Sequence, residues 1–225
     1  MAKGGTLGPQ NYLDVPPGAI LRRDVSKISP YCDKVWAIRA TGAQIIEWLE
    51  RSAIAFTHLS PDRPDQALLR SDIPGFQFDV ICGLDVTFDP TQPPRYSPSG
   101  QLISRRAHRV ASVRWSGTPL DPKQQFLVAA NSFRLSGGGA FPGLTPDKVA
   151  MRTDISVTAA AISVLAQSLL PAKDPDAWQF KTGLGVTALL ETAPRAEPHL
   201  DQIARLAPTP VGFTDSGFLN LRLTL

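Results

Sequence analysis

Cysteine is scarce in this sequence, and long apolar runs are missing. Cys32 and Cys82 are the only cysteines among 225 residues. Two cysteines are too few for a disulfide scaffold and lack metal-ligand spacing, so we expect free thiols, although one bridge stays open. No stretch approaches the roughly 18 apolar residues of a membrane span, and the N-terminal sequence has no apolar signal-peptide core. Either the protein is cytoplasmic, or the chain is an excised piece whose targeting signal lies upstream.

Neither sign of charge dominates the chain. There are 23 basic and 20 acidic residues, which gives a net charge of +3. The basic residues do not form runs longer than Arg22-Arg23 and Arg105-Arg106. Nucleic-acid binding through a basic stripe is therefore not indicated.

Familiar catalytic motifs are also missing. The glycine-rich stretch 136–140 is not followed by Gly-Lys-Ser/Thr, which argues against a phosphate-binding P-loop. His58, His108 and His199 stand alone, without the close His and Asp spacing of a zinc or two-metal site. No Gly-x-Ser-x-Gly elbow for a nucleophilic serine occurs. On its residues alone, the chain carries no catalytic machinery.

The sequence does contain the apolar residues and turn formers of a sheet-rich globular fold. Hydrophobic residues make up 43% of the chain, and 21 prolines and 17 glycines indicate many connections between short elements. The alternation over residues 34–40 predicts a strand, and Thr41 with Gln44 predicts a capping box for a helix to about residue 56. An initial Asp and a following proline predict a second helix over 154–170.

Most of the remaining segments are predicted strands. Residues 109–115 and 124–130 are expected to pair as a hairpin, with 124–130 buried. Residues 1–30 are expected to be mostly loop. Strands and helices mix without strict alternation, so the expected class is α+β. The other predicted elements are strands over 76–82, 84–89, 178–182, 185–191 and 218–223, and a helix over 196–206.

Two aromatic residues stand at predicted strand ends. Tyr31 precedes the first strand, with Asp33 beside it, and Phe133 separates the strand over 124–130 from three glycines, 137–139. Such glycines either make a cramped turn or let a ligand touch main chain. Two rings could hold a flat base, at about 1–3 kcal/mol per stacked contact, while Asp33 accepts hydrogen bonds from its edge. The alternative, favoured on single-sequence grounds, is that both rings are ordinary partly buried residues.

Several segments, taken in order, resemble those of one known family. They are GPQNYLDVPPG, SPYCDKVWAIRATGAQIIEWLERSA, FDVICGLDVTFDPTQP, GTPLDPKQQFLVAANSFRLSGGGAFPG and ETAPRA. Over nearly its whole length, the chain is similar to the C-terminal domain of periplasmic 2′,3′-cyclic-nucleotide 2′-phosphodiesterase/3′-nucleotidases, relatives of the 5′-nucleotidases.

The resemblance implies the architecture of the whole protein. Residues 1–225 are expected to form a single 5′-nucleotidase C-terminal-like domain, a mixed-sheet sandwich with helices packed on the sheets. The family's N-terminal metallophosphoesterase domain, with two divalent metal ions and the chemistry, is absent from this chain. This chain itself is expected to bind no metal or cofactor, and to belong to a periplasmic or cell-envelope protein whose signal lies upstream.

The resemblance also implies a substrate site without catalytic residues. The base is expected to stack between Tyr31 and Phe133 and to lie beside Gly83. Asp33 stands where the family pattern has Asn, which implies a preference for bases with an amino donor, such as adenine. Arg134, Gly137 and Gly138 match the loop after the second ring.

Further positions depart from the pattern. Cys82 replaces a serine before Gly83, and Gly139 stands where some 5′-nucleotidases have an Asp, so a ribose contact is expected to be missing. Thr6 and Leu7 follow the Gly-Gly pair where relatives place an Arg for phosphate. Two other functions therefore stay open: a nucleotide-binding module without an enzyme, and a surface interaction protein that has lost nucleotide binding.

Overall fold

The computed structural model describes residues 18–167 and 177–225. Within them the α-helices are α1 Arg22–Ile28, α2 Gly42–Ser52, α3 Ser132–Leu135 and α4 Val157–Ala166. The strands are β1 Lys34–Thr41, β2 Gln66–Ala67, β3 Leu84–Phe88, β4 Val110–Trp115, β5 Thr118–Pro119, β6 Gln125–Asn131, β7 Val149–Ser156, β8 Trp178–Phe180, β9 Thr187–Thr192, β10 Thr209–Phe213 and β11 Leu219–Thr224. Short 3-10 helices cover Ala53–Ala55, Gly75–Gln77, Pro146–Lys148 and Pro194–Leu206.

Contacts within the chain define two compact units. Among the described residues, the small unit comprises 18–48 and 120–167, and the large unit comprises 49–119 and 177–225. The boundary between them falls inside α2. Strands and short helices are mixed in both units, which confirms the α+β class.

The small unit contains a three-stranded antiparallel sheet in the order β6-β1-β7. β1 is the central strand, and its buried residues Ala37, Ile38 and Ala40 belong to the core. The predicted capping box begins α2: Thr41 N donates to Gln44 Oε1 at 2.9 Å, and Gln44 N donates to Thr41 Oγ1 at 3.2 Å. The strand and helix that the sequence predicted here are confirmed.

The large unit contains two four-stranded sheets, in the orders β10-β11-β9-β2 and β5-β4-β3-β8. Each joins antiparallel pairs to one parallel pair, β2 with β9 and β3 with β8. An aromatic cluster with ring centroids 5.0 to 6.0 Å apart packs beside β3 and β8. Its members are Phe56, Phe78, Phe88, Trp178 and Phe180. Edge and tilted contacts of this kind stabilise beyond the area that they bury.

A buried carboxylate links α2 to β4 within the large unit. Glu50 Oε2 accepts from Arg109 N at 3.0 Å, and Oε1 accepts from Val110 N at 3.1 Å. The Arg109 guanidinium donates to the carbonyls of Ala53, Phe56 and Gln92 at 2.7 to 3.0 Å. Burial raises the pKa of Glu50 above its ordinary value of 4.5, although hydrogen bonds from Arg109, Val110 and His108 lower it in part.

The predicted hairpin of 109–115 with 124–130 is wrong. β4 pairs with β3 and with the short β5, whereas β6 pairs with β1 in the other unit. Alternation predicts that a segment is a strand but says nothing of its partner. The expectation that 124–130 is buried is also wrong, because within β6 only Val128 is buried and Leu127 is 61% exposed.

Other predictions need correction at element ends. Residues 22–28 form α1, where a loop was expected. The helix predicted from Asp154 begins at Val157, because Asp154 belongs to β7 and Ser156 caps the helix by accepting from Ala159 N. Residues 168–170 of that prediction lie outside the described residues. The strand predicted over 76–82 is absent, and a 3-10 turn covers Gly75–Gln77.

Helices long and apolar enough to cross a membrane are not found in the described ranges.

Replacing Glu50 by Gln should remove one buried hydrogen-bond acceptor, and it also removes a group that changes charge with pH. The amide oxygen can accept from only one of the two backbone N–H groups, so we expect a loss of about 1–3 kcal/mol in the free energy of unfolding. Because the pKa of Glu50 is higher in the folded than in the unfolded chain, protonation of Glu50 stabilises the fold. This contribution to the free energy of unfolding is fully present below the ordinary pKa and is lost as pH rises through the raised pKa of the folded state. The gap between wild type and E50Q should therefore narrow as pH rises above 4.5.

Urea unfolding at several pH values measures this gap. The exposed Glu197 offers a matched control, and E197Q should follow the wild type throughout. A gap that widens with pH would contradict the raised pKa.

Candidate functional site

The register of the small sheet brings Asp33 to Phe133. β1 and β6 are antiparallel with Val35 opposite Asn131, so continuing the register by two residues places residue 33 opposite residue 133. Asp33 Oδ1 accepts from Phe133 N and from Ser132 Oγ, both at 3.1 Å. Two of the site residues predicted from the sequence are thus in direct contact, although 100 positions separate them.

The segment that carries Tyr31 is held at both ends by the first turn of α4. Thr158 Oγ1 donates to Ser29 O at 3.1 Å, and Val157 N donates to Asp33 O at 2.9 Å. Tyr31 lies between these two anchors, and its side chain is 66% exposed. An exposed aromatic ring on an anchored segment is available for contact with a ligand.

Phe133 lies in a one-turn helix and not in a loop at the strand end. Asn131, the last residue of β6, caps α3 by accepting from Arg134 N at 2.8 Å. The helix carries Phe133 in its first turn with 46% of the residue exposed. The sequence analysis placed Phe133 between a strand end and the glycines, and it missed the helix that the Asn131 cap initiates.

Gly138 supports the Phe133 ring. Gly138 N donates to Phe133 O at 3.0 Å, closing the turn after α3. A Cβ at position 138 would lie 2.6 Å from two ring carbons of Phe133 and from its carbonyl oxygen. The glycine is therefore required for close approach of the ring to the main chain.

Arg134 is buried beneath the same turn. Its guanidinium lies 3.9 Å from the centroid of the Phe141 ring and 5.8 Å from that of Phe133, and Nη1 donates to Gly138 O. Gly139, at φ +79°, leaves room for this side chain, because a Cβ there would lie 2.3 Å from Arg134 Nη1. Arg134 thus packs the loop against the core of the small unit. In that core the Phe141 and Trp48 rings lie edge-on, with their centroids 6.3 Å apart.

The remaining positions that the sequence analysis singled out are a glycine, two cysteines and two N-terminal residues. Gly83 belongs to the large unit, where it occupies the turn before β3 with φ +88°. Cys32 and Cys82 are both free and exposed. Thr6 and Leu7 lie outside the described residues. The base contact at Gly83 stays a prediction.

Sequence reasoning overlooked three residues that shape the site. Ser132 bridges the two segments, because its Oγ donates to Asp33 and accepts from Lys34 N at 3.0 Å. Asn131 caps α3, and Phe141 stacks on Arg134. The Asn-Ser pair directly after a strand is a helix N-terminus signal that could have revealed the first two. The partnership with Asp33 depends on strand register and has no local signal.

The described residues do not contain a group of three or more His, Cys, Asp or Glu side chains able to hold a metal ion. Within residues 18–167 and 177–225, the donor set therefore does not fit a two-metal hydrolytic centre.

Replacing Gly138 by Ala should displace the Phe133 ring. Gly138 is not among the glycines with positive φ, so the substitution imposes contact and little backbone strain. Overpacking of this kind costs about 1–3 kcal/mol of folding stability. Thermal unfolding measures the loss. The control is Gly183→Ala, which adds a Cβ in open space at φ +72° and reports the cost of positive φ alone. Equal stabilities of wild type and G138A would contradict the packing.

The sequence matches the model of a known protein family along most of its length. Residues 1–146 match the 5′-nucleotidase, C-terminal domain model. The chain is 31% identical over 201 residues to the trifunctional nucleotide phosphoesterase protein YfkN of Bacillus subtilis, covering 88% of this chain and 14% of that protein. It is 36% identical over 149 residues to the 2′,3′-cyclic-nucleotide 2′-phosphodiesterase/3′-nucleotidase of Haemophilus influenzae, covering 65% of this chain and 22% of that protein.

The fold is also found among solved structures. The NAD nucleotidase of Haemophilus influenzae superimposes with a TM-score of 0.54 at 15% identity, covering 75% of this chain and 27% of that one. The chain spans between 14% and 36% of the length of the curated relatives that it matches. Those relatives are named as nucleotide phosphoesterases, phosphodiesterases and nucleotidases. The match over residues 1–146 shows that this chain belongs to the 5′-nucleotidase C-terminal domain family.

Proposed function

We propose that this chain is the nucleotide-recognition part of a 2′,3′-cyclic-nucleotide 2′-phosphodiesterase/3′-nucleotidase, and that it stacks the base between Tyr31 and Phe133. The observation that carries the proposal is the hydrogen bond from Phe133 N to Asp33 Oδ1 at 3.1 Å. It joins the helix turn that bears one exposed ring to a residue only two positions from the other exposed ring.

The physical basis of the proposal is stacking. Scattered exposed aromatic residues are normal on protein surfaces, so exposure alone carries little weight. Here both rings project from segments that are fixed by hydrogen bonds, and Phe133 is also seated on Gly138. Rigid rings lose little conformational entropy when a base stacks on them, so more of the contact energy remains as affinity.

The chemistry of the proposed enzyme lies outside this chain. The described residues offer no metal cluster, and the curated relatives are about three to seven times longer than their matched regions. We propose that a metallophosphoesterase domain of the same polypeptide carries the two divalent metal ions and hydrolyses the phosphoester. The isolated chain would then bind nucleosides and nucleotides without hydrolysing them. We further propose a periplasmic or cell-envelope location for the whole protein.

Polar contacts would set the choice of base and sugar. Asp33 Oδ1 already accepts two hydrogen bonds from the protein, so Oδ2 is the oxygen that would accept from a base. Gly137 and Gly138 would let main chain approach the nucleoside. At position 139 the absence of a side chain removes a polar contact to the ribose, and Arg134 fills the space beside it.

Removing either ring should weaken nucleoside binding. Tyr31→Ala and Phe133→Ala should each lose about 1–3 kcal/mol of binding free energy, because one stacking surface disappears. Isothermal titration calorimetry with adenosine measures the loss. Phe213, which is 63% exposed on β10, supplies the control F213A with unchanged affinity. Wild-type affinity in both Y31A and F133A would refute the stacking site.

The carboxylate of Asp33 should favour bases that present an amino group. An ionised carboxylate only accepts hydrogen bonds, so it matches the adenine amino group and repels a carbonyl oxygen. Calorimetric titrations with adenosine and uridine monophosphates should show tighter binding of the adenine nucleotide. Equal affinities would rule out base selection by Asp33.

A further inference from the structure

We propose that Asp33 and Ser132 position the Phe133 ring, and that the two oxygens of Asp33 have different roles. Oδ1 accepts hydrogen bonds from the turn that carries the ring, and Oδ2 accepts a hydrogen bond from the base. This inference rests on the proposed function and goes beyond it, because it assigns Ser132 and one carboxylate oxygen to positioning. We call the hydrogen bonds among Asp33, Ser132, Phe133 N and Lys34 N the Asp33 clasp.

The Asp33 clasp closes on itself across two distant segments. Phe133 N and Ser132 Oγ donate to Asp33 Oδ1, each at 3.1 Å, and Ser132 Oγ accepts from Lys34 N at 3.0 Å. Because the Ser132 hydroxyl donates to Asp33 and accepts from Lys34, its orientation is fixed at both ends. The start of β1 and the start of α3 are thereby held together by side-chain bonds in addition to the strand ladder.

The clasp acts on the backbone atoms that aim the ring. The first N–H groups of a helix have no partner within it. Asn131 accepts from Arg134 N, and Asp33 accepts from Phe133 N, so the turn is fixed from two sides. Below the ring, Gly138 leaves space that only a glycine provides. With its backbone held and one face seated, the Phe133 ring presents its remaining surface in a defined direction.

The division between the oxygens makes Asn the informative substitution. Phe133 N is a donor, so an amide at position 33 would turn its carbonyl oxygen toward Phe133 and Ser132 and its NH₂ group away. Asn should therefore keep the positioning contacts of Oδ1 and replace the acceptor Oδ2 by a donor. Ala removes both oxygens. Ser132→Ala weakens the clasp and leaves the base-facing oxygen in place.

The experiment compares D33N, D33A and S132A with the wild type in the 225-residue chain. Calorimetric titrations with adenosine and uridine report binding. Amide hydrogen exchange at Phe133, measured without ligand, reports the clasp itself. Thermal unfolding of each variant shows that it is folded, and Ser112→Ala on the exposed side of β4 serves as the serine control.

The clasp predicts a distinct pattern for each variant. D33A should bind uridine roughly tenfold more weakly, since the hydrogen bonds that position the ring are lost, and it should lose more affinity for adenosine, since the base-facing acceptor is lost as well. Phe133 N should exchange faster. S132A should weaken adenosine and uridine binding by the same factor. D33N should retain slow exchange at Phe133 and bind uridine at least as tightly as the wild type, because the amide NH₂ can donate to a base carbonyl, while its adenosine affinity falls.

Each contrary result overturns a specific statement. Wild-type exchange at Phe133 in D33A would show that the clasp does not form. Wild-type affinities in D33A and S132A, with F133A still impaired, would overturn the positioning role and leave the stacking site standing. A D33N variant as impaired as D33A for both nucleosides would overturn the division between the oxygens. Failure of the wild type to bind any nucleoside would refute the proposed function, and the positioning role with it.

Discussion

The hydrogen bond from Phe133 N to Asp33 Oδ1 is the contact on which the candidate site depends. It joins residues far apart in the sequence, and it does so at the point where two antiparallel strands leave their common ladder. Strand register brings residues 33 and 133 opposite each other, and the Asp33 carboxylate then accepts a directional hydrogen bond from Phe133 N. The seat on Gly138 and the packing of Arg134 against Phe141 involve the same turn.

The packing beneath the site explains why the loop after α3 is rich in glycine. At Gly138 a side chain would collide with the Phe133 ring, and at Gly139 it would collide with the Arg134 guanidinium. These glycines thus serve close packing within the protein as well as any approach of a ligand to main chain. The Arg134 guanidinium lies near both the Phe133 ring and the buried Phe141 ring, at 5.8 and 3.9 Å from their centroids.

The sequence predicted those parts of the structure that local patterns determine. β1, the capping box of Thr41 with Gln44, and the closing strand β11 follow from alternation and capping residues that act within a few positions. The wrong hairpin and the late start of α4 arise from tertiary partners: β6 pairs with β1, and β7 takes up Asp154. The two candidate rings were noted at predicted strand ends, and the resemblance in ordered segments then favoured them as a stacking pair. Ser132 was missed because its role exists only once β1 and β6 have paired.

Membership in the 5′-nucleotidase C-terminal domain family is shown by the match over residues 1–146, and base stacking is the specific claim that remains to be measured. The most direct test is nuclear Overhauser contact between bound adenosine and the aromatic protons of the wild-type chain, assigned with the Y31A and F133A variants. The account predicts cross-peaks from the adenine H2 and H8 protons to the rings of both Tyr31 and Phe133. Bound adenosine whose base protons contact neither ring would contradict it.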